Sequence, residues 1–251
     1  LVGHLKSEGH TVQRLVRRTP VSPEEIQWDP KTGYVDLDAL RGVDAVIHLA
    51  GAGVGDKRWN KKYKAEILNS RLLGTTAIAH AVNEVKPQVF ISASAIGWYG
   101  ESGNRGVIES DKAGDDFLAA VCREWEAAAD LVEGVRTVKI RTGLVLDPTG
   151  GALGKMLPLF RFGLGGKMGN GKQWWSWITL HDLIRAITFM LEGAIAGPVN
   201  LTAPNPVTNQ EFTSALARAM HRPALFPAPA IALKIALGGF SSEIFGSKKV
   251  I

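Results

Sequence analysis

A single cysteine, Cys122, stands in the chain, so no internal disulfide can form, and this fits a reducing compartment. No apolar run approaches the roughly 18 residues that a membrane span needs. The basic residues form no block longer than a pair, as in Lys61-Lys62 and Lys248-Lys249. The formal charge of +5 therefore gives no nucleic-acid footprint and suits a basic pocket for an anionic cofactor. The six histidines are scattered, with no metal-ligand spacing, so no metal is expected. There is no internal repeat and no visible secretory leader, and a cytoplasmic protein is expected. No strand precedes the opening LVGHLKSEGHTV, which reads as the second half of an amphipathic helix. The closing SKKVI reads as the approach to a strand. Further sequence is expected on both sides.

What is present is a globular α/β pattern. At 45% hydrophobic and 21% charged, 251 residues suffice for one large domain, or one domain and a small lobe. TVQRLV (11–16) and EIQWDP are β-rich and closed by breakers. DAVIHLAGAG and QVFISAS are continuous apolar runs, the mark of buried parallel strands. TVKIRTGLVL reads as a further strand. Helical stretches fall at 59–85, 117–131, 180–192 and 209–220, with a helical turn at 38–41. Strands alternating with helices predict a Rossmann-type doubly wound parallel sheet over residues 1–150. The Gly- and Trp-rich stretch 150–177 breaks the alternation. Residues 151–251 are expected to supply a small substrate lobe and returning helices.

Such a sheet binds ligands beyond the carboxyl ends of its strands. Arg17 and Arg18 follow the second strand of the expected fold, where an acid would bind adenosine ribose hydroxyls. Guanidinium groups suit the 2′-phosphate of NADP instead, and NAD(H) is the less expected cofactor. Two solvated surface arginines are the plain alternative. Trp28 and Asp29 close the next strand. Leu49, Ala50 and Gly51 end a buried strand with small residues that let a cofactor approach the backbone. Ser92 and Ser94 end SASAIGWYG's strand, followed by Tyr99. A serine there can hydrogen-bond a substrate oxygen, or merely satisfy local backbone. Thr142 and Gly143 interrupt the last strand.

HLAG, SRLLGT, SASAIGWYG, FLAAVCREWEAAA, RTGLVL, GNGKQWWSWITLHDL and NLTAPNPV occur in this order. Together they resemble the atypical short-chain dehydrogenases called epimerase family proteins, some labelled cell-division inhibitors, which are related to nucleotide-sugar epimerases. The resemblance spans residues 11–250. It implies a preceding strand with a Gly-x-x-Gly-x-x-Gly phosphate loop, an NADP(H) cofactor, and dimers through two long helices. It also implies a substrate region holding Gln173, Trp174, Trp175 and Trp177, with at least one tryptophan in the core and at least one facing the cleft. Asp182 and His181 start a helix, where Asp182 is as expected a cap as a ligand.

The usual Ser, Tyr and Lys set is incomplete. The tyrosine position falls on Leu118, the lysine on Cys122 and the upstream Asn on Arg71. Leu118 cannot move a proton. Cys122 can, provided it is exposed and its pKa is lowered by Arg71 or Arg123; otherwise it is an inert buried hydrophobe. Arg71 has three readings: a cofactor phosphate, the substrate, or an ion pair with Glu66. Two functions are expected. One is an NADP(H)-dependent oxidoreductase or epimerase for a small or nucleotide-linked hydroxyl or carbonyl substrate. Ser94 would polarise the substrate oxygen, and the proton would come from Cys122, Tyr99, water or the substrate. The other is a non-catalytic NADP(H)-binding regulator that senses redox state and captures a protein partner.

Overall fold

A computed structural model describes residues 1–251, the side chain of Ala236 excepted. The first half runs α1 (Val2–Ser7), β1 (Arg14–Val16), β2 (Glu25–Asp29), β3 (Tyr34–Val35), α2 (Leu37–Leu40), β4 (Ala45–His48), α3 (Lys61–Val85) and β5 (Val89–Ala95). A 3-10 turn (Ile96–Tyr99) leads to β6 (Gly106–Val107), α4 (Phe117–Ala129), β7 (Arg136–Thr142) and β8 (Leu144–Leu146). Then come α5 (Gly151–Arg161), β9 (Trp174–Trp175), β10 (Trp177–Thr179), α6 (Leu180–Glu192), β11 (Gly197–Leu201) and β12 (Val207–Thr208). The chain closes with α7 (Asn209–Ala219), α8 (Ala230–Leu237), α9 (Ser241–Phe245) and β13 (Lys249–Val250).

The central sheet is parallel throughout, in the order β11-β7-β5-β4. A second sheet pairs β1 parallel to β2, with β3 turning back against β2. Strand residues alternate between faces. On β5, Phe90 packs into a cluster with Ala77, Ile78 and Val82 of α3 and Ala129 of α4. Its neighbour Ile91 joins Ile187 and Met190 of α6 in another cluster. β5 is therefore covered on both faces, which is why its sequence is an unbroken apolar run. Fully burying side chains of this size stabilises the fold by about 1.5–3 kcal/mol each. The architecture is α/β and Rossmann-type, as the strand–helix alternation predicts.

Three local differences from the sequence reading have physical reasons. The first strand is laddered only over Arg14–Val16. TVKIRTGLVL is two strands, because the backbone changes partner at Gly143. Gly143 N still donates to Leu201 O in β11, whereas Leu144 N donates to Ser176 O, and β8 then pairs with β10. The cap of α6 is Thr179, whose hydroxyl accepts from Asp182 N at 3.0 Å; Asp182 sits one turn in and takes the Thr179 hydroxyl proton at 2.8 Å. His181 lies beside it, exposed.

Residues 151–251 divide their work. β10, α6 and β11 return to the central sheet region, while α5, α7 and the β9–β12 pair pack into a separate cluster around Met156, Phe160 and Ala217. The last strand, β13, pairs with β6 of the first half.

Candidate functional site

The carboxyl ends of the parallel strands gather along one edge. Trp28, near the end of β2, meets His48, at the end of β4, edge-on at 5.8 Å. A Cβ on Gly74 of α3 would lie 3.6 Å from both. The segment leaving β4 is fixed by α3. Ser70 Oγ accepts from Ala52 N at 3.0 Å, and Arg71 Nη1 donates to Ala52 O at 2.9 Å. The Tyr63 hydroxyl donates to Gly53 O, and Trp59 Nε1 to Val54 O. Leu49, Ala50 and Gly51 stay exposed along this clamped backbone. Gly51 is small for a visible reason: a Cβ there would come within 3.2 Å of Arg71 Cζ.

Arg71 therefore holds a loop. Its guanidinium sits 4.8 Å over the Trp125 ring and also donates to Ile67 O. The ion pair with Glu66 does not form, since Glu66 faces Lys57 at 3.5 Å.

The two arginines after β1 part ways. Arg18 forks onto Glu25, with bonds of 2.8 and 2.6 Å. Glu25 is buried, also takes Arg14 and Val21 N, and is held below the usual carboxylate range first by the Arg18 bond. Arg18 is thus engaged by the loop between β1 and β2. Arg17 is exposed and has no acidic partner among the described residues. Trp28 is a core residue, 7% exposed, and Asp29 caps the following turn through Lys31 N.

The expected catalytic residues lie inside. Ser94 is 4% exposed, and its hydroxyl donates to Glu126 Oε1 at 2.6 Å. Its proton is therefore not available to polarise a substrate oxygen. Glu126 also pairs bidentately with Arg141, at 2.8 and 2.9 Å. Arg141 stacks 3.9 Å over Trp98 and reaches Tyr99 Oη at 3.2 Å. Tyr99 donates to Asn200 Oδ1 at 2.7 Å, and burial raises its pKa. Ser94, Glu126, Arg141, Tyr99 and Asn200 thus form one buried network tying β5, α4, β7 and β11 together.

Cys122 meets neither condition set for it. It is 3% exposed, and burial first, then the Glu126 charge, push its thiol up to about 12. Arg71 lowers it by less than burial raises it. Leu118 and Cys122 both face the 3-10 turn: a Cβ on Gly97 would meet Leu118 Cβ at 3.3 Å and Cys122 Sγ at 3.5 Å.

The remaining positions make local contacts. Ser92 is fully buried, its hydroxyl near Ala93 O. Thr142 bonds Ile140 O, and Gly143 is pressed against the backbone, since a Cβ there would come 2.7 Å from Ser176 O. Gln173 is buried and donates to Met168 O and Ile244 O. Trp175 packs on Phe212 of α7, while Trp174 bonds Asn104 and lies under Lys249.

Glu126 and Arg141 were missed as partners in the sequence. Their signal was available: an acid on the apolar side of REWEAAA and a base within the apolar strand VKIRTG. Opposite charges buried on adjacent elements must pair.

An exposed backbone run at Leu49–Gly51 beside a clamped loop, with Arg17 exposed after β1, fits a phosphate-bearing dinucleotide. The fold and this edge define an NAD(P)-binding Rossmann-type protein. Residues 1–138 match the sequence pattern described as the NAD dependent epimerase/dehydratase family, and the chain belongs to that family. An epimerase family protein of Mycobacterium leprae is 44% identical, over 97% of this chain and 80% of the relative. The chloroplastic SDR39U1 homolog of Arabidopsis thaliana is 35% identical, over 100% of this chain and 76% of the relative. The human epimerase family protein SDR39U1 (isoform 2), solved with NADPH, has a TM-score of 0.90 at 33% identity and covers 100% of this chain and 85% of its own. A UDP-glucose 4-epimerase of Thermotoga maritima, at 16% identity and a TM-score of 0.72, over 91% of this chain and 81% of that one, shares the fold alone. No helix among the described residues is long and apolar enough to cross a membrane.

Proposed function

We propose that the protein binds NADP(H) along the strand tips and acts on a small hydroxyl or carbonyl compound, free or nucleotide-linked. One observation carries the cofactor choice: Arg17 stands exposed after β1, without an acid beside it, in a chain that superposes on a protein solved with NADPH. Arg17 would hold the 2′-phosphate through charge-assisted bonds. Leu49, Ala50 and Gly51 would lie along the dinucleotide, on backbone that Ser70 and Arg71 keep in place. When bound, the nicotinamide supplies or takes up hydride. The chain's own residues give this chemistry an ordered, partly dry edge. The proton would come from water or from the substrate, since Tyr99 and Cys122 are buried and the Ser94 hydroxyl is engaged in a hydrogen bond to Glu126.

The engagement of Ser94 and Tyr99 and the leucine at position 118 equally favour a second reading, a cofactor-binding regulator without turnover. In that role a protein partner would distinguish oxidised from reduced cofactor.

Calorimetry with NADPH and NADH tests the first part. Arg17→Ala should weaken NADPH roughly tenfold or more and leave NADH unchanged, while Arg18→Ala should act mainly on stability. If Arg17→Ala weakens both coenzymes alike, the phosphate assignment is wrong. Oxidation of NADPH against a panel of carbonyl compounds separates the two readings. Tight binding with no oxidation across the panel selects the regulator.

A further inference from the structure

Beside the strand tips, a cleft of about 350 Å³ opens between the first turns of α3 and α4 and the C-terminal segment. That volume falls in the range of small-molecule sites. One wall carries Trp59, just before α3, and Lys64 in its first turn, with Asp116, the cap of α4, and Phe117, its first residue. The other carries Glu101, Glu243 and Lys248.

The charges of this cleft are unequally satisfied. Glu243 pairs with Lys248 at 3.0 Å, both nearly buried. Glu101 takes Gly103 N at 2.9 Å and Ser247 N at 2.8 Å, one on each oxygen. Asp116 Oδ1 caps α4 through Ala119 N. Lys64 differs. It is half-buried and has no carboxylate partner among the described residues. Its ammonium instead lies 4.7 Å from the Phe117 ring centre and 5.4 Å from that of Trp59. Aromatic faces hold a cation in position but do not neutralise it. In sequence, Arg58, Lys61 and Lys62 flank the start of α3 and add basic charge to this end of the helix.

We infer that this cleft binds a small hydroxylated anion, with its carboxylate or phosphate group on Lys64. The rings of Trp59 and Phe117 would lie along its carbon skeleton. Lone pairs left on Asp116 and Glu101 would accept from its hydroxyls, which makes a polyhydroxy acid or ester a better fit than a bare anion. The inference rests on the proposed function only in treating this ligand as the substrate; the binding itself needs no cofactor.

The test uses the full chain loaded with NADPH and calorimetric titration with glucuronate, glucose 6-phosphate, inorganic phosphate and neutral glucose. At least one of the two hydroxylated anions should bind roughly tenfold or more tighter than glucose and than inorganic phosphate. Lys64→Met should erase that preference, Lys64→Arg should keep most of it, and NADPH affinity should stay the same in both variants. Glucose binding as tightly as the anions would overturn the inference, as would a preference that survives Lys64→Met or a failure of every probe to bind. The comparison among probes on the unaltered chain stands even if Lys64→Met does not fold. Lys64-dependent anion binding in a protein that ignores NADPH would sink the cofactor reading and leave this one intact.

Discussion

Two single residues report on how dry the interior is. His48 has its Nε2 buried without a hydrogen-bond partner, and burial lowers its pKa to about 4. The unfolded chain binds a proton at this residue near pH 6.5, while the native state resists it until near pH 4. Stability from His48 is therefore complete above the unfolded value and is lost as pH falls through this window. A shift of this size corresponds to something on the order of 3 kcal/mol. Urea titrations at pH 7 and pH 4 should show that loss, and His48→Phe should flatten it. An unchanged slope in the variant would remove His48 as its source. Cys122 makes the complementary case. Its thiol, pushed up to about 12, should resist iodoacetamide at pH 8 in the native protein and react at once in urea, and Cys122→Ala should leave NADPH binding as it was. Rapid native alkylation would mean that the helix opens far more readily than its packing suggests.

At the scale of elements, the buried pair between α4 and β7 is the joint of the sheet. Arg141 and Glu126 are 2% and 3% exposed, so neither can lose its partner to water. Glu126→Leu or Arg141→Met alone should cost about 3–5 kcal/mol, because the remaining charge is stranded, and the double variant should recover part of the loss. Chemical denaturation of all three variants checks this; additive losses would contradict it. This joint also shows why the sequence was legible in one respect and opaque in another. β4, β5, α3 and α6 could be read directly, since burial on both faces or on one face leaves a fixed apolar period. Ser94 was found at its strand tip for the same reason. What its hydroxyl touches was not readable, because Glu126 lies 32 residues away on a helix whose rotation only packing sets. Arg17 and Arg18 looked equivalent until the loop between β1 and β2 folded Glu25 under one of them. Lys64 was passed over because a lysine near a helix start is ordinarily a solvated one.

Over the whole molecule, the last residues are stitched into the first half. Ser247 N bonds Glu101, Lys249 N bonds Ser102, and Val250 stacks into the pair with Val107. Ser176 and Trp174 of the second half bond the same segment. The family's sheet could be foreseen from alternating strands and helices. This closure could not, since β6 and β13 are two residues each and leave no periodic trace.

That stitching sets an order of events during synthesis. Glu243 and Lys248 leave the ribosome more than a hundred residues after the aromatic clamp around Lys64. A nascent chain halted beyond α7 would already carry its β-sheet, yet one side of its pocket would be open water. Recognition of a ligand there would need residues 243–248 in place, and any slow step in docking that segment would be read out as a lag in ligand capture rather than in folding of the sheet.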